Sequence, residues 1–174
     1  MSRPAIRALV REATLAAFDD AVATLDGEHL YAVALTTDDG GLSPGLCLTT
    51  LEHLRARRSD AAENGDLSEP GYEAYLRWDT AEWRDELVGW EHFEAVAQAI
   101  DEADDDADDW FEEHIDALIA ALAALRAERA DALHGVTLFV SVTDSDASES
   151  IDNRSAAELN PPELSGPFLA RYAG

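Results

Sequence analysis

The sequence predicts a single α+β domain spanning residues 1–174, a small and mostly antiparallel sheet covered by helices. Three observations predict it. Val136, Leu138, Val140 and Val142 share one face of Val136–Thr143 at the period of a strand. Phe111, Ile115, Leu118, Leu122 and Leu125 advance by alternating four- and three-residue steps, which is the buried seam of a helix. Helical and strand-like stretches follow one another as helix, strands, helix, strand, helices, strand, helix. No repeat and no Gly-, Ser- or Pro-rich linker divides them.

The elements follow in order. Ser2 caps a first helix with Pro4 in its opening turn. Ile6, Leu9, Val10, Ala13 and Ala17 share a face of that helix, and Gly27 ends it. Leu30–Thr37 is a strand in which Tyr31, Val33 and Leu35 alternate with Ala32, Ala34 and Thr36. Asp38-Asp39-Gly40-Gly41 makes a turn, and a short strand follows near Leu46–Leu48. Thr49 or Thr50 then caps a helix that runs to about Ala62 with Leu51 and Leu54 inward. The Asn-Gly and Pro-Gly pairs make Asn64–Gly71 a loop, and the aromatic residues of Tyr72–Trp78 predict a strand. Asp79 and Glu82 have capping-box spacing for a short helix starting near Thr80. Phe93, Val96, Ala97 and Ile100 form the stripe of another helix. The Phe111–Leu125 helix should start near Asp108 and end at His134-Gly135. A helical segment near Glu149–Leu159, a stop at Pro161-Pro162 and a last turn or helix around Pro167–Tyr172 complete the chain.

The formal charge of −25 narrows the partners. There are 37 acidic residues against 12 basic ones, all arginine. Such a field repels nucleic acid and anionic membrane surfaces and attracts basic proteins, basic peptides or cations. Codon bias in a GC-rich genome and adaptation to high salt are two further sources of the same composition. The hydrophobic content of 47% supports a folded chain, because disordered acidic chains lack that apolar fraction. Cys47 is the only cysteine, the N-terminus lacks an apolar stretch behind a basic start, and the longest apolar run is Ala117–Leu125. These predict a cytoplasmic protein with no disulfide and no membrane span. The five histidines are scattered, and Cys47 suits a small buried position. No glycine-rich phosphate loop, serine elbow or zinc-hydrolase helix is present, so no cofactor and no metal are expected.

Three places carry candidate function. Arg77, Trp78, Glu82 and Trp83 crowd a strand-to-helix junction and form either core packing or an aromatic and charged recognition patch. Ten of the acids lie in Asp101–Asp116. There Asp104, Asp105, Asp106, Asp108 and Asp109 form either the solvated start of a helix or an acidic surface for a basic partner. The alternate aspartates resemble a calcium loop in spacing, but Asp109 stands at the turn glycine and Ile115 at the bidentate glutamate. Asp144 follows the last strand, where turn chemistry and function are both at home.

The Tyr75-Leu76-Arg77-Trp78-x-x-x-Glu82-Trp83 pattern resembles the signature of the bacterial domain of unknown function 4303 family. The Tyr31–Thr37 strand before Asp38-Asp39, the strand ending in Thr143-Asp144, and Leu159-Asn160-Pro161 agree in order. The resemblance spans about Ile6 to Tyr172. It implies an α+β cytoplasmic domain without an established activity, of a kind that often proves to be an immunity or interaction protein.

The first expectation is therefore a non-catalytic protein-binding module, in its specific form an immunity protein that neutralises a basic toxin. An enzyme with a composite site of Arg77, Glu82 and Asp144 is the alternative. An acidic protein adapted to salt, with no partner implied by charge, is the third.

Overall fold

The structure is a computed structural model that describes residues 3–103 and 110–172. The expected cap at Ser2, the helix start at Asp108 and the acidic residues Asp104, Asp105, Asp106, Asp108 and Asp109 lie outside the described residues.

Helix α1 (Arg3–Val22) buries Ile6, Val10, Ala13 and Ala17, as its periodicity requires. Strands β1 (Leu30–Thr37) and β2 (Gly45–Thr50) pair antiparallel. Helix α2 (Leu51–Asn64) follows β2 directly. The Thr50 hydroxyl caps it by accepting from the His53 amide at 3.1 Å, and Gly65 ends it in the left-handed conformation. Next come α3 (Tyr72–Trp78), a 3-10 turn (Thr80–Glu82) and β3 (Asp85–Val88). The order closes with α4 (Trp90–Asp101), α5 (Trp110–Glu128), β4 (Thr137–Val142), α6 (Ser148–Leu159) and α7 (Pro162–Leu169).

The sheet order is β3-β2-β1-β4. Two of its pairings are antiparallel, and β1 runs parallel to β4. Both faces are covered. Val33, Leu35, Leu46, Leu48, Leu138 and Val140 meet α1, α4 and α5. Ala32, Ala34, Cys47 and Phe139 meet α2, α3 and α7. The alanines of β1 stand on the face that receives the large rings, which leaves them room. Helix α6 contributes Ile151 and Leu159 to one core and Ala156 to the other. It therefore lies along the β4 edge.

Four expectations are corrected. Tyr72–Trp78 is a helix. Gly71 opens it at φ 82°, and the Tyr72 and Tyr75 rings meet at a tilt one turn apart at 5.7 Å, whereas a strand would place them on opposite faces. The third strand is Asp85–Val88 instead, too short and too polar to alternate visibly. Helix α5 ends at Glu128, because Arg126 donates to the carbonyls of Leu133 and Val136 and holds a turned connection. Pro162 starts α7 in its first turn, where the missing N–H costs nothing.

Tyr31 also departs from the simple alternation. It packs with Ala32 and Ala34, opposite Val33 and Leu35, because the β1–β2 register shifts between Leu30 and Ala32. The irregularity re-aims one side chain, as bulges do.

Candidate functional site

The Arg77–Trp83 segment crosses from α3 to β3 over the second core. Asp79 ends α3 and accepts the Ala81 amide at 3.0 Å, starting the 3-10 turn. Only half of the expected capping box forms. Glu82 turns away, accepting the Tyr75 hydroxyl at 2.6 Å and pairing with Arg57 on α2. Its carbonyl also meets His53 Nε2 at 3.0 Å. The Tyr75 bond, helped by Arg57 and opposed by burial, holds the Glu82 carboxyl below its ordinary range. The same bond pushes the Tyr75 phenol up to about 12. Glu82 is thus a strut joining α2, α3 and the turn.

Both tryptophans belong to the core, at 7% and 5% exposure for Trp78 and Trp83. Trp78 stands edge-on to Phe168 at 5.2 Å, and Trp83 edge-on to Phe139 at 5.6 Å. Phe139 and Phe168 touch at 4.4 Å, so β4, α7 and the segment share one aromatic cluster. The Arg77 carbonyl accepts from the Tyr31 hydroxyl at 2.9 Å and the Trp83 indole at 3.1 Å. Its guanidinium lies 5.1 Å from the Trp78 ring centre. Core packing is the geometry of this segment.

Asp144 is exposed just past β4 with φ 59°, a left-handed turn position that aspartate tolerates. The cleft beside Glu82 is walled by His53, Arg57, Ala81 and Trp83; Arg77 and Asp144 are not among its walls. Glu82 is bound to Tyr75 and Arg57, not to either of them.

Among the described residues, ion pairs with carboxylates take up every arginine except Arg7, Arg77 and Arg126. The full sequence still carries 37 acids against these 12 arginines.

Three sites escape sequence reasoning, the first two because their partners are distant in the chain. Asn160 and Ser155 bond the main chain of β4. Arg171 is buried over the Phe168 ring at 3.9 Å and donates to Asn153 Oδ1 at 2.6 Å. Its other arm lies 3.4 Å from Asp152, whose carboxyl burial pushes up to about 7 against the pull of Arg171. His114 stacks on Trp110 at 5.4 Å, and neither ring nitrogen has a hydrogen-bond partner among the described residues. Burial draws it down to about 4, with Asp38 opposing. The four-residue step from Trp110 to His114 on one helix was the available signal for that stack. No helix of the described residues is long and apolar enough to cross a membrane.

No curated protein and no solved structure matches the chain. Residues 10–161 match the family model described as Domain of unknown function (DUF4303), a span that contains both the Tyr75–Trp83 segment and Asn160. That covers most of the chain, which belongs to this family.

Proposed function

We propose that this protein is a non-catalytic binding module whose partner is a basic protein, and that its specific form is an immunity protein that holds a basic toxin inactive. The observation that carries this reading is the internal commitment of the arginines. Most of them are paired within the fold, and the 37 acids outnumber the 12 arginines to leave a net charge of −25. Such a field steers basic partners, with association rates raised roughly 10–10³-fold at low ionic strength. Trp78 and Trp83 pack into the core, which favours other surface for recognition.

The composite enzyme site is not favoured, because Glu82 is engaged by Tyr75 and Arg57. The test is co-purification with the product of the adjacent reading frame, followed by association kinetics against salt. A complex whose on-rate falls steeply with salt supports the reading. Failure to bind that product or any other basic protein sinks it.

A further inference from the structure

Trp90, the first residue of α4, is 63% exposed, whereas the other three tryptophans are buried. Leu42 and Leu87 beside it are 50% and 49% exposed. The three surround a cleft of about 210 Å³ whose floor includes Pro44, Gly45, Phe93 and Ala97. An exposed apolar group of this kind on an otherwise acidic chain calls for a partner.

The backbone is shaped to present it. Leu87 sits at φ 49°, an outlier for a branched residue, and strain of this kind gathers at functional sites. The Leu87 side chain lies over Gly45, where an added Cβ would come within 2.4 Å of it. Gly89 sits at φ 63° so close to α1 that a Cβ would lie 2.9 Å from the Ala17 Cα, so glycine alone can lead into Trp90 here. Asp38 Oδ1 accepts the amides of Gly40 and Leu42 at 3.0 and 2.9 Å, fixing the turn that offers Leu42.

The rim is acidic. Glu94 lines the cleft, Glu91 is exposed one helical turn before it, and no arginine forms the walls. The edge strand β3 has only four residues and is kinked at Leu87, which discourages strand addition. Recognition here would pass through side chains. A second copy would bring the same acids face to face, which is unfavourable.

We propose that this cleft is the docking site for a basic protein segment that inserts an apolar side chain among Leu42, Leu87 and Trp90 and sets flanking arginine or lysine against Glu91 and Glu94. This rests on the basic-partner reading above and gives it a location. Aromatic anchors inside a charged rim are the usual form of such hot spots.

The test is selection of a random displayed peptide library on the full chain, then fluorescence anisotropy with the enriched peptides. The expected peptides carry one large apolar residue between basic ones. They lose at least tenfold affinity on Trp90→Ala, on Leu87→Asn (which suits the left-handed backbone) and on Glu94→Arg. They keep it on Glu158→Arg, an exposed site on α6, with circular dichroism verifying each fold. Basic peptides that bind Trp90→Ala and Leu87→Asn undiminished overturn the cleft and leave the basic-partner reading standing. Enrichment of neutral or acidic peptides overturns both. No enrichment overturns the cleft, as does a concentration-dependent dimer that Trp90→Ala abolishes.

Discussion

The side-chain amide of Asn160 clasps the main chain of Leu138 on both sides, accepting its N–H at 2.8 Å and donating to its carbonyl at 2.6 Å. Ser155 accepts the Val140 amide at 2.9 Å, and the Val142 main chain faces Asp152. Helix α6 thus supplies side chains where a further strand would supply backbone. The β4 edge is closed to pairing with another chain.

Replacing Asn160 with alanine leaves both Leu138 groups unpartnered in a buried setting and removes a 2.7 Å bond from Arg126. Each such group costs about 1–3 kcal/mol. Denaturant unfolding of Asn160→Ala should show a loss of about 2–4 kcal/mol. A change below about 0.5 kcal/mol would remove the clasp from the account of stability.

Trp78→Ala and Trp83→Ala should each cost about 3–5 kcal/mol, since each empties part of the ring cluster around Phe139 and Phe168. Trp90→Ala should stay within about 0.5 kcal/mol, because its ring is mostly in water. Thermal melts of the three variants give the comparison. Equal losses at Trp90 and Trp83 would contradict the division between core and surface tryptophans.

His114 should make the protein acid-sensitive. Its folded value of about 4 lies below the ordinary 6.5. The unfolded chain therefore takes up the proton first, and stability present above pH 6.5 is lost as pH falls toward 4. Stability measured from pH 7.5 to 4 should move in favour of His114→Leu over the native chain by about 3 kcal/mol. Parallel pH profiles would mean that the ring is hydrated.

Asp152 should act with the opposite sign. Its folded value of about 7 lies above the ordinary 3.8. Its contribution is fully present below pH 3.8 and is lost as pH rises through 7. The advantage of the native chain over Asp152→Asn should shrink across that window. An advantage that grows with pH would mean that the Arg171 pair outweighs burial.

The long apolar patterns carried most of the fold. The Val136–Val142 alternation and the Phe111–Leu125 steps appear as β4 and α5, and of the two threonines expected as a cap Thr50 is the one that serves. Short segments were ambiguous. Tyr72–Trp78 has the aromatic content of a strand, yet it lies on a helix that sets Leu76 and Trp78 into the core. The Tyr31 bulge and the β3 strand depend on pairing between distant segments, which local periodicity does not encode. Density of large residues at Arg77–Trp83 marked a packing hub, whereas the exposed Trp90 had no pattern to announce it. Only the burial of the other tryptophans makes Trp90 stand out.

That contrast allows the central claim, an exposed Trp90 in a negative field awaiting a basic partner, to be tested without knowing the partner. Tryptophan fluorescence is quenched by caesium or by iodide at low ionic strength. With each ion scaled to its quenching of free tryptophan amide, caesium should quench a distinct accessible fraction far more strongly than iodide, and Trp90→Phe should abolish that fraction, since Trp78, Trp83 and Trp110 are buried. Equal quenching by the two ions, or an accessible fraction that survives Trp90→Phe, would contradict the claim.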